Sequence, residues 1–197
     1  MYNSISTYYK VQSHIYDLTR WSFLFGRSKL FSRLPDLPQN ASILDLGCGT
    51  GYQLSSLRKR YPKANIIGLD ASSDMLKKAH QKLNDNVTLL HQQYQKSSFP
   101  ENSFDLVVCS YSLTMMGDID EILSHVSYHL KPKGSFAVID FDYSRFDWFT
   151  RWMKVNFVEM SGRVFSTAKH QFPSHTLESY SAYTGLWIYS LFFATNI

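Results

Sequence analysis

The amino-acid sequence predicts an α/β fold with a doubly wound parallel sheet. Four apolar segments, at residues 43–46, 66–69, 104–109 and 135–141, are short, nearly continuous in hydrophobicity and rich in β-branched or aromatic side chains. This pattern is typical of strands that are covered on both faces. Helix-like stretches separate the segments, and strands that alternate with helices favour a parallel sheet. A further short strand is predicted at residues 87–90, and 197 residues suffice for one such domain.

Three helix-like stretches lie between the strands, and each has an apolar stripe and a defined end. The first ends before Pro62, because proline cannot continue a helix. The second begins after Ser72 or Ser73, either of which can accept a hydrogen bond from the first helical turn. The third ends before Pro132. We predict these helices over residues 51–61, 73–83 and 118–130.

The carboxyl-terminal residues 179–197 carry no charge, so a membrane anchor has to be considered. A spanning helix needs about 20 predominantly apolar residues, and only residues 185–194 are densely apolar. We therefore predict a strand over residues 187–195 instead of an anchor. The strand that precedes it is either 179–183 or part of 162–168.

Composition and charge narrow the function classes. The chain is 44% hydrophobic and 18% charged, which excludes a disordered or coiled-coil protein. Two cysteines are too few for a disulfide scaffold or a cysteine-based zinc site, and the amino terminus lacks a signal-peptide pattern, so we expect a cytoplasmic protein. Residues 1–40 carry five basic and two acidic side chains, which is +3 of the net +4. This excess suits an acidic ligand or an anionic membrane surface, but no basic run is dense enough for a nucleic-acid partner.

A glycine-rich turn after the first strand carries the strongest chemical signal. Asp45 lies near the end of the strand, two residues before Gly47, and Gly49 and Gly51 follow at a spacing of two before a helix begins. Glycines let the backbone turn sharply and lie against a ligand, and the free N–H groups of a helix start attract an anionic group. Asp70 ends the second strand, where a carboxylate can accept hydrogen bonds from a ribose diol. The two turns together predict a nucleoside-containing ligand.

Four segments of the chain form a pattern of their own. They are ILDLGCGTG (43–51), IIGLDASSDML (66–76), FPENSFDLVVCSYSL (99–113) and LKPKGSFAVID (130–140). In this order and spacing they resemble class I S-adenosylmethionine-dependent methyltransferases. The resemblance implies a Rossmann-like α/β fold: a seven-stranded, mostly parallel sheet with helices on both faces and an amino-terminal helical cap. It divides the chain into a cap or substrate lid at residues 1–40 and an S-adenosylmethionine-binding methyltransferase domain at residues 41–197.

The same resemblance implies roles for individual residues. Asp45 and the glycine turn would surround the methionine part of S-adenosylmethionine, Asp70 would hold the ribose, and Ala71 and Met75 would border the adenine. Gln93 stands where the family usually has an acidic residue facing the adenine amino group, and its amide oxygen can accept the same hydrogen bond. The implied cofactor-binding residues are Tyr16, Asp45, Gly47, Cys48, Gly49, Gly51, Asp70, Ala71, Met75, Gln93, Tyr94 and Ser110. The implied catalytic residues are Tyr9, Tyr16 and Tyr111.

The amino-terminal stretch gives the clue to the methyl acceptor. Residues 8–27, which include HIYDLTRWSFLFGR, look like the amino-terminal segment of bacterial enzymes that methylate the lipid amines phosphatidylethanolamine or diacylglyceryl homoserine, a betaine lipid. Repeated N-methylation ends in a quaternary ammonium group, which aromatic faces attract. Candidate members of such an aromatic cage are Tyr9, Tyr16, Tyr111, Tyr143 and Trp148.

Two interpretations of the other aromatic residues stay open. Trp21, Phe23 and Phe25 could enter the lipid headgroup region of the inner membrane surface. The flanking Arg20 and Arg27 would then contact anionic lipid. The alternative is that aromatic residues lie in the hydrophobic core, which ordinary burial preferences favour. This core interpretation covers Phe23, Phe25, Phe149 and Trp152.

A lipid-amine methyltransferase is therefore the first hypothesis for the function. The alternatives are a methyltransferase for a soluble or quinone-like small molecule and a non-catalytic S-adenosylmethionine-binding protein. An amine has only to be neutral when it attacks, which agrees with the lack of a motif for a general base. His125 and His129 are four residues apart on a predicted helix, but no third ligand is near in sequence, so we predict no metal site.

Overall fold

The computed structural model describes residues 23–83 and 87–197. Its strands are β1 (Ser42–Leu46), β2 (Asn65–Asp70), β3 (Thr88–His91), β4 (Phe104–Ser110), β5 (Leu130–Phe141), β6 (His175–Ala182) and β7 (Trp187–Thr195). They form one seven-stranded sheet in the order β3-β2-β1-β4-β5-β7-β6. The first five strands pair in parallel, and β7 runs antiparallel between β5 and β6. The mostly parallel seven-stranded sheet confirms the predicted fold class.

The described residues contain six α-helices, and three of them match the predicted ones. Gly51, with φ 77°, precedes the first of the three, and the Ser72 side chain accepts a hydrogen bond from the Met75 N–H at the start of the second. Asp118 caps the third by accepting from the N–H groups of the first turn. The helices are α1 (Arg27–Ser32), α2 (Tyr52–Arg60), α3 (Ser73–Lys82), α4 (Ile119–His129), α5 (Asp147–Val155) and α6 (Arg163–Gln171).

The helices cover both faces of the sheet. Strand side chains alternate between faces, so Ile43 and Leu44 of β1 belong to different core clusters. The first cluster includes apolar residues of α1, α2, α3 and α5, and the second includes those of α4 and α6. The described part of the predicted cap, residues 23–40, contains α1, whose Leu30 is fully buried in the first cluster.

The carboxyl-terminal strands resolve the alternatives left by the sequence. The strand predicted at residues 187–195 is confirmed, and the strand before it is His175–Ala182, which overlaps the first alternative. The second alternative, part of 162–168, is wrong because these residues start α6, where Val164, Phe165 and Ala168 turn toward the core at helical spacing. No helix within residues 23–83 and 87–197 is both long and apolar enough to cross a membrane.

Candidate active site

The glycine turn after β1 is fixed by contacts to two neighbouring strands. The backbone N–H of Gly47 donates to the Leu69 carbonyl at the end of β2, at 2.8 Å. Gly47 has a φ of 75°, and a Cβ atom there would lie 2.4 Å from the Cβ of Ser112, so only glycine fits. The Ser112 hydroxyl donates to the Leu46 carbonyl at 2.8 Å. The turn is therefore preformed in the protein.

Asp70 joins the glycine turn to the turn after β2. One of its carboxylate oxygens accepts the Gly49 N–H and the other accepts the Ser72 N–H, each at 2.8 Å. A carboxylate offers about four lone-pair sites, so two backbone bonds orient the group and leave acceptor capacity for a ligand. This geometry suits the diol contact that the sequence predicts for Asp70.

Asp45 is a buried carboxylate at the end of β1. It is fully buried, and neither of its oxygens finds a hydrogen-bond partner among the described residues. The pKa of Asp45 is raised to about 7, chiefly by burial, while the positive charge of Arg27 lowers it and the negative charge of Asp70 raises it. A buried acceptor without a partner is costly, so the site favours a cationic hydrogen-bond donor.

Arg27 supplies the positive charge above Asp45. Its Nε donates to the Ser110 hydroxyl at 3.2 Å, and its guanidinium lies 5.1 Å from the ring centre of Tyr52 and 6.0 Å from that of Tyr111. Gly26 makes this position possible, because a Cβ atom there would lie 2.6 Å from the Tyr189 ring. The sequence allows a membrane contact for Arg27, whereas in the structure this residue lines one cavity together with Gly47 of the glycine turn.

A cavity of about 490 Å³ lies between the amino-terminal segment and the glycine turn. Its volume is within the range of small-molecule sites. The cavity brings together the predicted site residues Gly47, Cys48 and Ser110 with residues that the sequence analysis did not select. The complete lining is Leu24, Phe25, Gly26, Arg27, Ser28, Gly47, Cys48, Thr50, Tyr52, Gln53, Lys82 and Ser110.

Tyr111 connects the end of β4 to the amino-terminal segment. Its hydroxyl donates to the Phe25 carbonyl at 2.7 Å, and its backbone N–H donates to the Ile139 carbonyl at 2.7 Å. The residue has a φ of 56°, which is unusual for a bulky side chain. Burial raises the pKa of the Tyr111 phenol well above its usual value. The side chain thus holds the segment that covers the cavity.

Asp140 fixes the loop that follows β4, and sequence reasoning missed it. The buried carboxylate accepts the Leu113 N–H at 2.8 Å and the Thr114 hydroxyl at 2.7 Å. Burial raises the pKa of Asp140 to about 6, and these hydrogen bonds oppose that shift. An acidic residue near the end of an otherwise apolar strand was the available signal. Asp140 positions the loop that contains Ser112 and therefore supports Gly47.

The residues that the sequence predicts near the adenine differ from one another in exposure. Met75 is buried in the first turn of α3, whereas Ala71 and Gln93 are exposed. Tyr94 is buried in the second core cluster, and its hydroxyl lies 2.7 Å from Nδ1 of His129. The other nitrogen of His129 donates to a backbone carbonyl, so Nδ1 accepts from the tyrosine. The Tyr94 side chain therefore has a structural partner on α4.

The predicted aromatic residues fall into three groups. Tyr9 and Tyr16 lie outside the described residues, while Tyr143 and Trp148 are exposed. Phe23 is partly buried, and its ring stacks on that of Trp187 at 5.3 Å. The core interpretation is confirmed for Phe149, and Phe23 and Phe25 pack against the same core as partly buried residues. It is wrong for Trp152, which is 47% exposed because it lies on the outer side of α5.

Residues 43–134 match a protein-family model described as a methyltransferase domain. The trans-aconitate 2-methyltransferase of Deinococcus radiodurans is 37% identical over 105 residues, which are 53% of this chain and 39% of that protein. The demethylmenaquinone methyltransferase of Lactococcus lactis subsp. lactis is 33% identical over 145 residues, which are 71% of this chain and 56% of that protein. The chain spans about half the length of the curated relatives it matches.

Solved structures of methyltransferases share the fold. A Haloferax volcanii complex of a methyltransferase activator with its methyltransferase matches with a TM-score of 0.80 and 16% identity, over 97% of this chain and 96% of that one. The phosphoethanolamine N-methyltransferase 2 of Haemonchus contortus, in complex with phosphomonomethylethanolamine and S-adenosylhomocysteine, has a TM-score of 0.74 and 18% identity, over 90% and 56% of the two chains. At these identities the likeness concerns the fold.

Proposed function

We propose that the chain transfers the methyl group of S-adenosylmethionine to an amine in a membrane-lipid headgroup. The match of residues 43–134 to a methyltransferase-domain model supports the transfer of a methyl group. The observation that carries the transferase assignment is the buried carboxylate of Asp45, which has no hydrogen-bond partner among the described residues and precedes the cavity-lining Gly47 by two positions. The charge of Arg27, which lines the cavity, acts on this carboxylate. The amino-acid end of S-adenosylmethionine has an ammonium and a carboxylate group, which complement these two side chains.

The charges and acceptors in and next to the cavity suit the groups of the cofactor. Asp45 would accept hydrogen bonds from the ammonium group, which gives the buried carboxylate the partner that the described residues do not provide. Arg27 and the start of α2 would bind the carboxylate, because both are positive. Asp70 would accept from the ribose hydroxyls while it keeps its two backbone bonds.

When bound, the cofactor supplies an electrophilic methyl group on a sulfonium sulfur. The chain's own residues have to align an acceptor with that group and exclude water, which accounts for much of the acceleration of such reactions. The amino-terminal segment covers the cavity, and Tyr111 holds it through the Phe25 carbonyl. Tyr111 acts here by positioning this segment and not by transferring a proton. A neutral amine needs no general base.

An amine acceptor is supported by the surroundings of Arg27. Arg27 lies in an aromatic environment formed by Tyr52 and Phe25 of the cavity wall, and aromatic rings of this kind can stabilise an alkylammonium group. One structural neighbour is named for N-methylation of phosphoethanolamine, the headgroup unit of a common lipid. The competing candidate is a soluble or quinone-like acceptor, which is favoured by the names of the curated relatives, trans-aconitate and demethylmenaquinone methyltransferase.

The test supplies purified protein with methyl-labelled S-adenosylmethionine and, in parallel, a bacterial lipid extract or an aqueous metabolite extract. We expect label in the lipid phase after organic extraction, with a headgroup mass increased by one or more methyl groups. An Asp70→Ala protein should give no label, whereas the matched variant Asp74→Ala should keep it, because Asp74 forms a peripheral ion pair with Lys77.

Label found only in aqueous products would overturn the lipid acceptor and support the small-molecule candidate. Bound cofactor without label in either extract would contradict the proposed transfer and support a non-catalytic binding protein. Bound S-adenosylmethionine is measured by calorimetry on the same preparation.

A further inference from the structure

Helix α5 exposes an apolar stripe beside the face that it buries. Phe149 and Met153 pack in the core and are 2% and 4% exposed. Trp148, Trp152 and Val155 follow one another at spacings of four and three residues, so they share a different side of the helix. They are 62%, 47% and 75% exposed. One side of α5 therefore serves the core, and a second apolar side faces solvent.

Basic side chains flank this stripe. Arg145, Arg151 and Lys154 are exposed, and Asp147 is the one acidic residue of the segment 143–155, which therefore has a net charge of three minus one, or +2. The exposed rings of two preceding residues extend the aromatic surface. We call this set the α5 surface: Tyr143, Arg145, Phe146, Trp148, Arg151, Trp152, Lys154 and Val155.

The α5 surface lies close to the wall of the cavity. The ring of Trp152 is 6.0 Å from that of Phe23, which directly precedes the cavity-lining residues Leu24 and Phe25. The buried side of the helix is held by Phe149, whose ring stacks on Trp187 at 5.4 Å with an interplanar angle of 9°. The position of the surface is thus set by the same aromatic core that supports the amino-terminal segment.

We propose that the α5 surface docks on the anionic surface of a lipid bilayer, with its tryptophans in the headgroup region and its cations on the phosphates. Tryptophan and basic residues on one amphipathic helix are the composition of interfacial helices. The proposal moves the membrane contact away from Phe23, Phe25 and Arg27, since the structure uses these side chains in the core and at the cavity. It rests on the proposed lipid acceptor, because docking beside the cavity would deliver a headgroup to it.

The net charge favours lipid as the occupant of this surface. An anionic bilayer complements a segment of charge +2, and each cation near such a surface strengthens binding by about fivefold. A bilayer also accepts the aromatic side chains over a flat area without a matching groove. Binding by this mechanism weakens as salt is added, because exposed charges are screened.

The experiment measures sedimentation of the full chain with vesicles of phosphatidylcholine alone and of phosphatidylcholine with phosphatidylglycerol. We expect binding to the mixed vesicles only. The double variant Arg151→Gln/Lys154→Gln should bind about 30-fold more weakly, since two cations are lost. The control Lys59→Gln/Lys63→Gln removes two exposed cations around the end of α2 and should bind as the wild type does.

Tryptophan emission provides a second readout. Mixed vesicles should shift the emission of a Trp21→Phe protein to shorter wavelength, and adding Trp148→Ser/Trp152→Ser should abolish most of the shift, because the remaining Trp187 is fully buried. If Arg151→Gln/Lys154→Gln and its control Lys59→Gln/Lys63→Gln bind the mixed vesicles equally well, the docking surface is overturned. A tryptophan emission that the mixed vesicles leave unshifted would overturn it as well. A protein partner or a second copy on α5 would give that result too, since neither depends on anionic lipid.

Methylation of a detergent-dispersed lipid amine is measured on the same samples. Methylation without vesicle binding would overturn docking and leave the proposed function. Vesicle binding through α5 without methylation of lipid would support docking and overturn the proposed acceptor. The Arg151→Gln/Lys154→Gln protein should methylate the dispersed lipid at the wild-type rate, because neither side chain lines the cavity.

Discussion

The proposed cofactor side of the cavity and the side formed by the amino-terminal segment are built by different interactions. On the proposed cofactor side, Gly47, Gly49 and Asp70 are fixed by short hydrogen bonds that involve the backbone. On the other side, Phe25 is held by ring contacts with residues far away in sequence, such as Tyr189 at 6.3 Å. Backbone geometry tolerates little change, whereas aromatic packing can be rebuilt. We therefore expect substitutions on the proposed cofactor side to have the larger effects.

Asp70→Ala should produce the largest effect on the cofactor side. It removes two expected charge-assisted hydrogen bonds to the ribose, each contributing about 1.5–3 kcal/mol, so the affinity should fall by at least about 100-fold. Calorimetric titration with S-adenosylhomocysteine measures this affinity. The control Asp74→Ala, which removes only the ion pair with Lys77, should bind as the wild type does. Wild-type affinity in the Asp70→Ala protein would contradict the role of this carboxylate.

Arg27→Ala tests whether the amino-terminal segment contributes to the cofactor side. Loss of one hydrogen bond to a charged group predicts an affinity that is about tenfold to 100-fold weaker. Arg33→Ala is the matched control, since Arg33 lies six residues further along and forms an exposed ion pair with Glu178. Equal affinities of the two variants would place Arg27 outside the cofactor site.

Asp45 makes the affinity depend on pH. Below about 7 the Asp45 carboxyl is protonated and cannot pair with an ammonium group, so affinity should rise as the pH rises through 7. It should fall again above about 8, where an α-amino group loses its proton. The Asp45→Asn protein should bind the cofactor weakly, and its affinity should no longer rise as the pH rises through 7. A flat wild-type profile between pH 6 and 8 would show that Asp45 does not pair with the ligand.

The same carboxylate predicts a gain in stability for Asp45→Asn. Because the pKa of Asp45 is raised in the folded state, the folded wild type binds more protons than the unfolded chain between about pH 4 and 7, and its unfolding free energy falls as the pH rises through this window. Without cofactor, the asparagine variant should therefore be more stable than the wild type at pH 8 by an amount on the order of a few kcal/mol, and by less at pH 5. Urea unfolding at both pH values measures the difference.

Tyr111→Phe should have the smallest effect, and it separates positioning from catalysis. Loss of the hydrogen bond to Phe25 is expected to reduce the unfolding free energy by about 1 kcal/mol. If the hydroxyl only positions the segment, the rate of methyl transfer should fall by less than about tenfold and the pH profile should keep its shape. A loss of about 100-fold or more, the size typical of general acid–base catalysis, would instead make Tyr111 catalytic.

Much of the fold could be predicted because local patterns determine it. The strand Trp187–Thr195 follows from continuous hydrophobicity, and the start of α3 follows from Ser72. The alternative at residues 162–168 failed because a short apolar stretch does not distinguish a buried strand from a helix without knowledge of its neighbours. The helix there was decided by packing against α4 and the sheet.

The site was predicted where it depends on turns and missed where it depends on long-range contacts. The glycine spacing indicated the sharp turn, which the φ of 75° at Gly47 confirms, whereas the roles of Gly47 and Asp70 toward a cofactor stay predictions. The contact of Arg27 with Ser110 joins residues 83 positions apart, and no local pattern indicates it. The contact of Tyr94 with His129 could not be predicted for the same reason, since His129 lies on a helix 35 positions later.

The most direct test of the account compares two ligands on one protein. S-adenosylhomocysteine contains the amino-acid end that Asp45 and Arg27 are proposed to bind, and 5′-methylthioadenosine lacks it. Calorimetry at pH 7.5 should show a strong preference of the wild type for S-adenosylhomocysteine, and Asp45→Asn should lose most of that preference while it retains its affinity for methylthioadenosine. Equal affinity of the wild type for both ligands would contradict the account, because the buried carboxylate would then have no part in cofactor binding.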